Sequence, residues 1–198
     1  MKTYILLLMS ALLFSCASGY KAIHPEKLQY IQSREDSILA YKENVLQTAR
    51  NRKFVNKEIK KELQVVAVRI TNTTNNTLLY NANYKIYAGG NEIQLLDPAM
   101  AGKKIKQNAG LHLLYLLLTP MRLNIATTSS NESIPIGLVV GPVLAGTNIA
   151  IAASANKNFR NELAYFDITS KQIQPGQTVY GLITLPNYHN APLFLKLL

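Results

Sequence analysis

The chain has 198 residues, of which 48% are hydrophobic and 16% are charged. This composition excludes an intrinsically disordered protein, and the length suits one domain with a real hydrophobic core. A single cysteine excludes a disulfide framework and any multi-cysteine metal site, and the net charge of +10 predicts a basic surface.

The first 15 residues predict an export signal. Lys2 is followed by an apolar run from Tyr4 to Phe14 and by the small residue Ser15. A cationic start, about ten apolar residues and a small residue before the cleavage point are typical of a secretory signal peptide. As a helix the run reaches only about 16 Å, too short for a hydrocarbon core of roughly 30 Å. We therefore expect residues 1–15 to be a signal peptide.

The end of this signal predicts a lipid anchor. The residues Leu13-Phe14-Ser15-Cys16 resemble the lipobox of bacterial lipoproteins, although Phe14 is bulkier than the usual residue there. The resemblance implies cleavage before Cys16 and attachment of a diacylglyceryl group to its sulfur. The alternative is an ordinary signal peptide followed by a chance cysteine, but this cysteine is the only one and lies at the cleavage point. We expect a lipid-anchored protein of the bacterial cell envelope. Because no acidic run follows Cys16, the anchor is expected to face the periplasm.

The mature chain is expected to contain a tether over residues 16–36 and a single domain over 37–198. Ala17-Ser18-Gly19 is a flexible start to the tether. A strand is predicted over 37–47, with a longer helix beginning near Pro25 as the alternative.

Further strands are indicated by β-branched residues and by turns rich in Asn, Gly and Pro. These strands are predicted at 63–70, 78–80, 84–87, 93–96, 177–185 and 193–197. Short strands of this kind predict an antiparallel, immunoglobulin-like β-sandwich, so the fold class is expected to be mainly β.

Residues 98–165 interrupt that pattern and predict an apolar helical insertion. The insertion contains the apolar runs 111–118 and 134–155, joined by a polar loop at 127–133 and followed by an amphipathic helical stretch. Residues 134–155 would reach about 33 Å as a helix, enough to cross a bilayer, but Pro142 and Asn148 interrupt them. We expect a helical hairpin packed on itself and on the sandwich. A bilayer span by 134–155 is the alternative.

Several stretches together resemble uncharacterised envelope lipoproteins of Bacteroidota. The stretches are VVAVRITNTTNNTLLY, PIGLVVGPVLAGTNIAIAASANKNF, IQPGQTVYGLITLP and PLFLKL. The resemblance covers most of the mature chain and implies a lipoprotein with a sandwich fold. It brings no activity and no site residue other than Cys16.

Candidate catalytic and metal-binding residues are few. His24, His112 and His189 lie in separate regions without metal-ligand spacing. Glu162 and Asp167 could form a hydrolase dyad, but a helix-surface charge and a turn residue are the favoured interpretation. The glycines of the apolar stretch, Gly137, Gly141 and Gly146, are expected to permit close helix packing rather than phosphate binding. We expect no enzyme, no metal and no cofactor.

Positive charge is concentrated before the strand at 63–70. The cluster contains Arg50, Arg52, Lys53, Lys57, Lys60 and Lys61. Nucleic acid is an unsuitable partner for an exported protein. We therefore consider the lysines at 53, 57, 60 and 61 as candidate contacts to anionic lipid head groups. A solvated face is the alternative, because Glu58 and Glu62 interrupt the cluster.

The sequence as a whole predicts a lipid-anchored, non-catalytic envelope protein with a binding or scaffolding role. Its expected partners are membrane lipid, through Cys16, and another envelope protein. The alternative is an integral membrane component whose segment 134–155 spans or enters the bilayer.

Overall fold

The computed structural model describes residues 16–126, 131–186, 188 and 191–198. The chain divides into two compact units. One unit contains residues 16–19 and 107–156 and is called the apolar unit below. The other contains residues 20–106 and 157–198 and is called the two-sheet unit.

The strands and helices follow one another along the chain with short connections. The strands are Ile31–Gln32 (β1), Leu39–Lys42 (β2), Leu63–Thr71 (β3), Tyr84–Ala88 (β4), Asn91–Glu92 (β5), Leu123–Ala126 (β6), Asn131–Ile134 (β7), Thr178–Pro186 (β8) and Leu193–Leu197 (β9). The α-helices are Val45–Thr48 (α1), Arg52–Lys60 (α2), Pro98–Lys104 (α3) and Gly137–Tyr165 (α4). Two 3₁₀ helices cover Pro25–Lys27 and Ala109–Leu118.

The two-sheet unit contains two antiparallel sheets. One has the strand order β1-β2-β3-β8 and the other has the order β5-β4-β9. Strand β3 pairs with β8 over its whole length, from Leu63 opposite Pro186 to Thr71 opposite Thr178. Because β3 is central, its β-branched side chains are covered on both faces, and Val65, Val66 and Val68 are fully buried.

Both sheets contribute to one hydrophobic core. Val66, Ile70 and Ile183 from the first sheet belong to the same buried cluster as Tyr84 and Leu195 from the second. The fold is therefore mixed α/β, with antiparallel sheets and one long apolar helix. Helices account for about 36% of the chain and strands for about 26%, so the helical share is larger than a mainly β fold would have.

The beginning of the two-sheet unit differs from the sequence prediction. Residues 20–36 were expected in a tether, yet Ile23 is buried and β1 pairs with β2. The strand predicted over 37–47 is shorter, because Asn44 adopts a left-handed conformation with φ of 54° and α1 follows directly. At 78–80 the structure has isolated bridges, one of which joins Leu78 to Ile173.

The apolar unit is built from a 3₁₀ helix, a β-hairpin and most of α4. The run 111–118 is helical as predicted, but it forms the 3₁₀ helix Ala109–Leu118 rather than an α-helix. Where a polar loop was expected at 127–133, residues 131–134 form β7, paired antiparallel with β6. Residues 127–130 lie outside the described part. Helix α4 begins at Gly137 and continues into the two-sheet unit at residue 157.

Candidate membrane-contact site

The segment that begins at Cys16 is fixed to the apolar unit by hydrogen bonds. The Ala17 amide donates to Oδ1 of Asn148 over 2.6 Å. Ser18 pairs with Gln107 through both backbone groups: its amide donates to Oε1 over 3.3 Å, and its carbonyl accepts from Nε2 over 2.7 Å. The Cys16 side chain is exposed, with Sγ 3.8 Å from the hydroxyl oxygen of Tyr115. Residues expected in a flexible tether thus occupy a defined position.

Three amide side chains that interrupt the apolar sequence, those of Gln107, Asn148 and Asn156, are buried and bonded to backbone groups. The Asn156 side chain makes two hydrogen bonds to the backbone of Gln107. Its Oδ1 accepts from the Gln107 backbone N–H (2.7 Å), and its Nδ2 donates to the Gln107 backbone carbonyl (2.9 Å). Asn148 also donates to the carbonyl of Leu144 over 2.8 Å. Polar groups that are satisfied internally cost little in an apolar environment. The exposed side chains of the unit are mainly apolar, with polar exceptions such as Asn124, Thr147 and Ser154.

Glycines allow α4 to approach the backbone of the 3₁₀ helix closely. A Cβ atom at Gly137 would collide with the carbonyl oxygens of Leu118 and Thr119, and one at Gly141 would lie 3.0 Å from the carbonyl oxygen of Tyr115. The predicted role in close helix packing is confirmed for Gly137 and Gly141. Gly146 faces open space, so the same role does not apply there.

The outer surface of the apolar unit exposes large hydrophobic side chains. They are Leu111, Leu113, Leu114, Leu116, Leu117, Leu123, Ile125, Ile134, Leu138, Val139, Val140, Val143, Leu144 and Ile151. Leu117 is 75% exposed and Val139 66%. Within 107–156 the only charged residues are Arg122 and Glu132. Exposed apolar side chains in this number are typical of an interaction with a protein or a membrane.

Helix α4 is long and apolar enough to cross a membrane, judged by length and composition. Its most apolar 18-residue window has a mean hydropathy of 1.7. The core helix of a soluble protein passes the same criterion, but such a helix is mostly buried. Here only 28% of the window is buried inside the protein. The exposure favours contact with lipid, although one such helix is weak support by itself.

Three lysines of the basic cluster lie on one face of α2. Lys53, Lys57 and Lys60 follow the i, i+4, i+7 spacing that places side chains on the same side of a helix, and Lys61 caps its end. The sequence suggested that Glu58 interrupts this face, but it does not. The Glu58 side chain is buried and accepts a hydrogen bond from the Val65 amide over 2.6 Å. Burial raises the pKa of Glu58 to about 7. The exposed part of α2 is therefore more basic than its sequence indicates.

The two carboxylates considered for catalysis, Glu162 and Asp167, each accept hydrogen bonds from nearby groups. Glu162 accepts hydrogen bonds from the Tyr20 hydroxyl (2.5 Å) and from the amides of Ile23 (2.8 Å) and His24 (3.2 Å). These bonds hold the segment that enters the two-sheet unit. Burial and the neighbouring Glu162 carboxylate raise the pKa of Tyr20 well above its usual range.

Asp167 makes a separate set of contacts. It accepts from the amide and hydroxyl of Thr169 and from the hydroxyl of Ser170, as expected for a turn residue. Glu162 and Asp167 are thus each engaged in different local networks.

The three histidines have different surroundings. His24 is exposed with Nδ1 3.4 Å from Glu26, and His112 is buried with its ring stacked on Tyr115. His189 lies outside the described residues. Among the residues that the structure does describe, no group of three His, Cys, Asp or Glu side chains is arranged to hold a metal ion.

An open groove of about 1160 Å³ lies on the two-sheet unit beside one end of β8. Aromatic side chains line it, among them Tyr20, Tyr165 and Tyr180. Strand β8 is at the edge of its sheet. The Leu182 amide and the Thr184 carbonyl, which point away from β3, bond to Phe166 and Leu96. By the alternation of an antiparallel strand, Thr178 and Tyr180 also direct their backbone groups away from β3, towards the groove.

Comparisons of this chain with protein-family models, with curated proteins and with solved structures find no match.

Proposed function

We propose that this protein is a lipid-anchored, non-catalytic component of the bacterial cell envelope, whose apolar unit contacts the membrane beside the anchor. The observation that carries the proposal is the position of Cys16, which belongs to the same unit as the exposed apolar surface. The lipobox-like sequence and the resemblance to Bacteroidota envelope lipoproteins support the same conclusion. The anchor is proposed to face the periplasm.

The anchor requires two covalent steps at Cys16. A diacylglyceryl group passes from a phospholipid donor to Sγ, forming a thioether, and the donor's head group leaves with the thiol proton. Hydrolysis of the Ser15–Cys16 peptide bond then makes Cys16 the first residue. Each buried methylene of the acyl chains contributes about 0.8 kcal/mol, so several chains hold the protein on the membrane stably.

The exposed leucines and valines support an anchor on this unit. In water they would form an apolar surface with a strong tendency to associate. Acyl chains brought close by Cys16 provide the environment that this surface needs. The lysines at 53, 57, 60 and 61 are proposed to contact anionic head groups, each adding on the order of 1 kcal/mol.

The two-sheet unit is proposed to bind or scaffold another envelope component. The free edge of β8 at Thr178 and Tyr180, beside the aromatic groove, suits an extended segment of a partner that adds to the sheet. We also propose that this unit is an immunoglobulin-like sandwich, supported by the shared core of its two antiparallel sheets.

A second candidate function is an integral membrane component in which α4 spans the bilayer. The length, hydropathy and low burial of α4 favour it. The two candidates differ in what retains the protein on the membrane, which is the lipid in the first and the helix in the second.

Extraction of membranes with alkaline carbonate separates them. The protein with its natural Cys16 is expected to remain in the membrane pellet, and Cys16→Ala, exported through a non-lipoprotein signal, is expected in the supernatant. Ser18→Ala is the matched control, because Ser18 uses only backbone groups in its bonds to Gln107. A folded Cys16→Ala protein that stays in the pellet would support the spanning helix instead. Release of the unaltered protein would contradict both candidates.

A further inference from the structure

We propose that the apolar unit lies flat in a single leaflet, with the first 20 residues of α4 parallel to the membrane plane. The acyl chains of the leaflet that holds the lipid of Cys16 then cover the exposed leucines and valines. This inference rests on the proposed function, since it takes Cys16 as the lipid-bearing residue. It goes beyond that function by specifying the orientation of the membrane-contacting unit.

The first argument is the position of the anchor along α4. Ala17 is bonded to Asn148, and Cys16 Sγ lies beside Tyr115. The carbonyl of Tyr115 in turn contacts the helix at Gly141. The sulfur therefore lies beside residues 141–148, close to the middle of the helical stretch 137–156. The glyceryl group attached there carries polar ester linkages, which belong at the level of the lipid head groups.

The second argument is the position of charge at the two ends of the same stretch. The Met121 carbonyl accepts a hydrogen bond from the Gly137 amide, so the exposed side chain of Arg122 is close to the start of α4. At the other end, the exposed Lys157 directly follows Asn156 within the helix. Residues 137–156 have no charge between them and extend about 29 Å.

These three positions exclude an upright helix. A complete span would place Cys16 and its glyceryl group near the middle of the hydrocarbon. The helix could instead be inserted upright only as far as its middle, with its Gly137 end in the hydrocarbon. Cys16 would then stay at the interface, but Arg122 would lie in the hydrocarbon, where a charged side chain is unfavourable. Only a helix parallel to the membrane plane keeps all three at the level of the head groups, as in interfacial helices.

The β6–β7 hairpin is consistent with this orientation. It is a separate two-stranded sheet whose exposed side chains are both polar and apolar. The polar ones are Asn124, Glu132 and Ser133, and the apolar ones are Leu123, Ile125 and Ile134. Open strand edges do not occur in contact with hydrocarbon, because their backbone groups would lack hydrogen-bond partners. A flat unit leaves the hairpin at the head groups, where water satisfies these edges.

The sequence contains no tryptophan, so a single introduced Trp reports its own depth. Val140 and Ile151 form a matched pair, because both are 38% exposed. They are eleven residues apart, which places them on the same helix face at an axial distance of about 16 Å. Leu138 and Ile149 form a second pair with the same spacing on another face. Each variant, for example Val140→Trp, is prepared as the lipidated full-length mature protein and reconstituted in phospholipid vesicles.

The measurement is quenching by phospholipids brominated at defined acyl positions and by aqueous acrylamide. The flat orientation predicts equal depths within each pair and a lipid-quenched position for at least one pair. Depths that differ by about 16 Å within a pair would overturn the flat orientation while leaving the membrane-contacting function intact. Full acrylamide quenching of all four variants, without quenching by lipid, would show that the unit is in water and would overturn both.

Discussion

Replacing Glu58 by glutamine should stabilise the protein at neutral and alkaline pH. The Glu58 carboxyl is buried, and its pKa is raised from 4.5 to about 7 because burial disfavours the charged form. Glutamine can still accept the hydrogen bond that the Val65 amide donates over 2.6 Å, but it cannot ionise. The substitution therefore removes the cost of a buried charge while keeping the bond.

The magnitude follows from the pKa difference between the folded and unfolded states. A difference of about 2.5 units at about 1.36 kcal/mol per unit gives a penalty on the order of 3 kcal/mol for the ionised side chain. Because the folded pKa is the higher one, the folded state binds the proton more tightly. Stability is thus highest below pH 4.5 and falls as the pH rises to about 7. Above that value the penalty is complete.

The assay is urea-induced unfolding of the full mature chain in detergent, followed by far-UV circular dichroism between pH 4.5 and 8.5. The free energy of unfolding of Glu58→Gln relative to the unaltered protein is expected to increase by about 1.4 kcal/mol per pH unit between pH 5 and 7, and then to level off. Glu62→Gln is the control, since Glu62 is exposed. A difference that does not change with pH would refute the reasoning.

Two further predictions concern the lysines of α2 and the glycines of α4. Triple replacement of Lys53, Lys57 and Lys60 by Gln should remove most of the salt-sensitive binding to vesicles of anionic lipid, measured by co-sedimentation. If the unaltered protein binds neutral vesicles equally well, this face of α2 is merely solvated. Gly137→Ala should destabilise the chain by on the order of 1–3 kcal/mol in urea unfolding, because its Cβ collides with backbone atoms. Gly146→Ala, which meets open space, should instead stabilise it by up to about 1 kcal/mol. Equal effects of the two substitutions would contradict the packing argument.

The strands of the two-sheet unit were the most predictable part of the fold. The β-branched run at 63–70 predicted a strand, and β3 at Leu63–Thr71 is that strand. The predicted strands at 84–87, 177–185 and 193–197 correspond closely to β4, β8 and β9. These segments combine strong β propensity with clear turn residues at their ends, so local signals and long-range packing agree.

Features that depend on contacts distant in sequence were not predictable in this way. The order of the residues around Cys16 suggests a flexible tether, but the structure fixes Ala17 through Asn148, a partner 131 positions away. Likewise, the lysines around Glu58 in the sequence suggest that its side chain is exposed. Only the position of β3 shows that this side chain is buried and bonded to the Val65 amide. No local pattern specifies either partner.

The candidate site was predictable in its components and not in its assembly. The sequence predicted the apolar runs 111–118 and 134–155 in one helical insertion, and it placed Cys16 in a tether. It gave no indication that Cys16 belongs to the same unit as these runs, or that Asn156 bonds to the backbone of Gln107 and Asn148 to the carbonyl of Leu144 inside it. Asn and Gln residues within an otherwise apolar stretch are a sequence signal that could have suggested such hydrogen bonds.

The most direct test of the lipid anchor is the mass of the N-terminal peptide of the mature protein, isolated from the membranes of a bacterium that processes lipoproteins. The account predicts that the peptide begins at Cys16 and carries the added mass of a diacylglyceryl group on that residue. A peptide that contains an unmodified Cys16 thiol, or that begins at another residue, would contradict it.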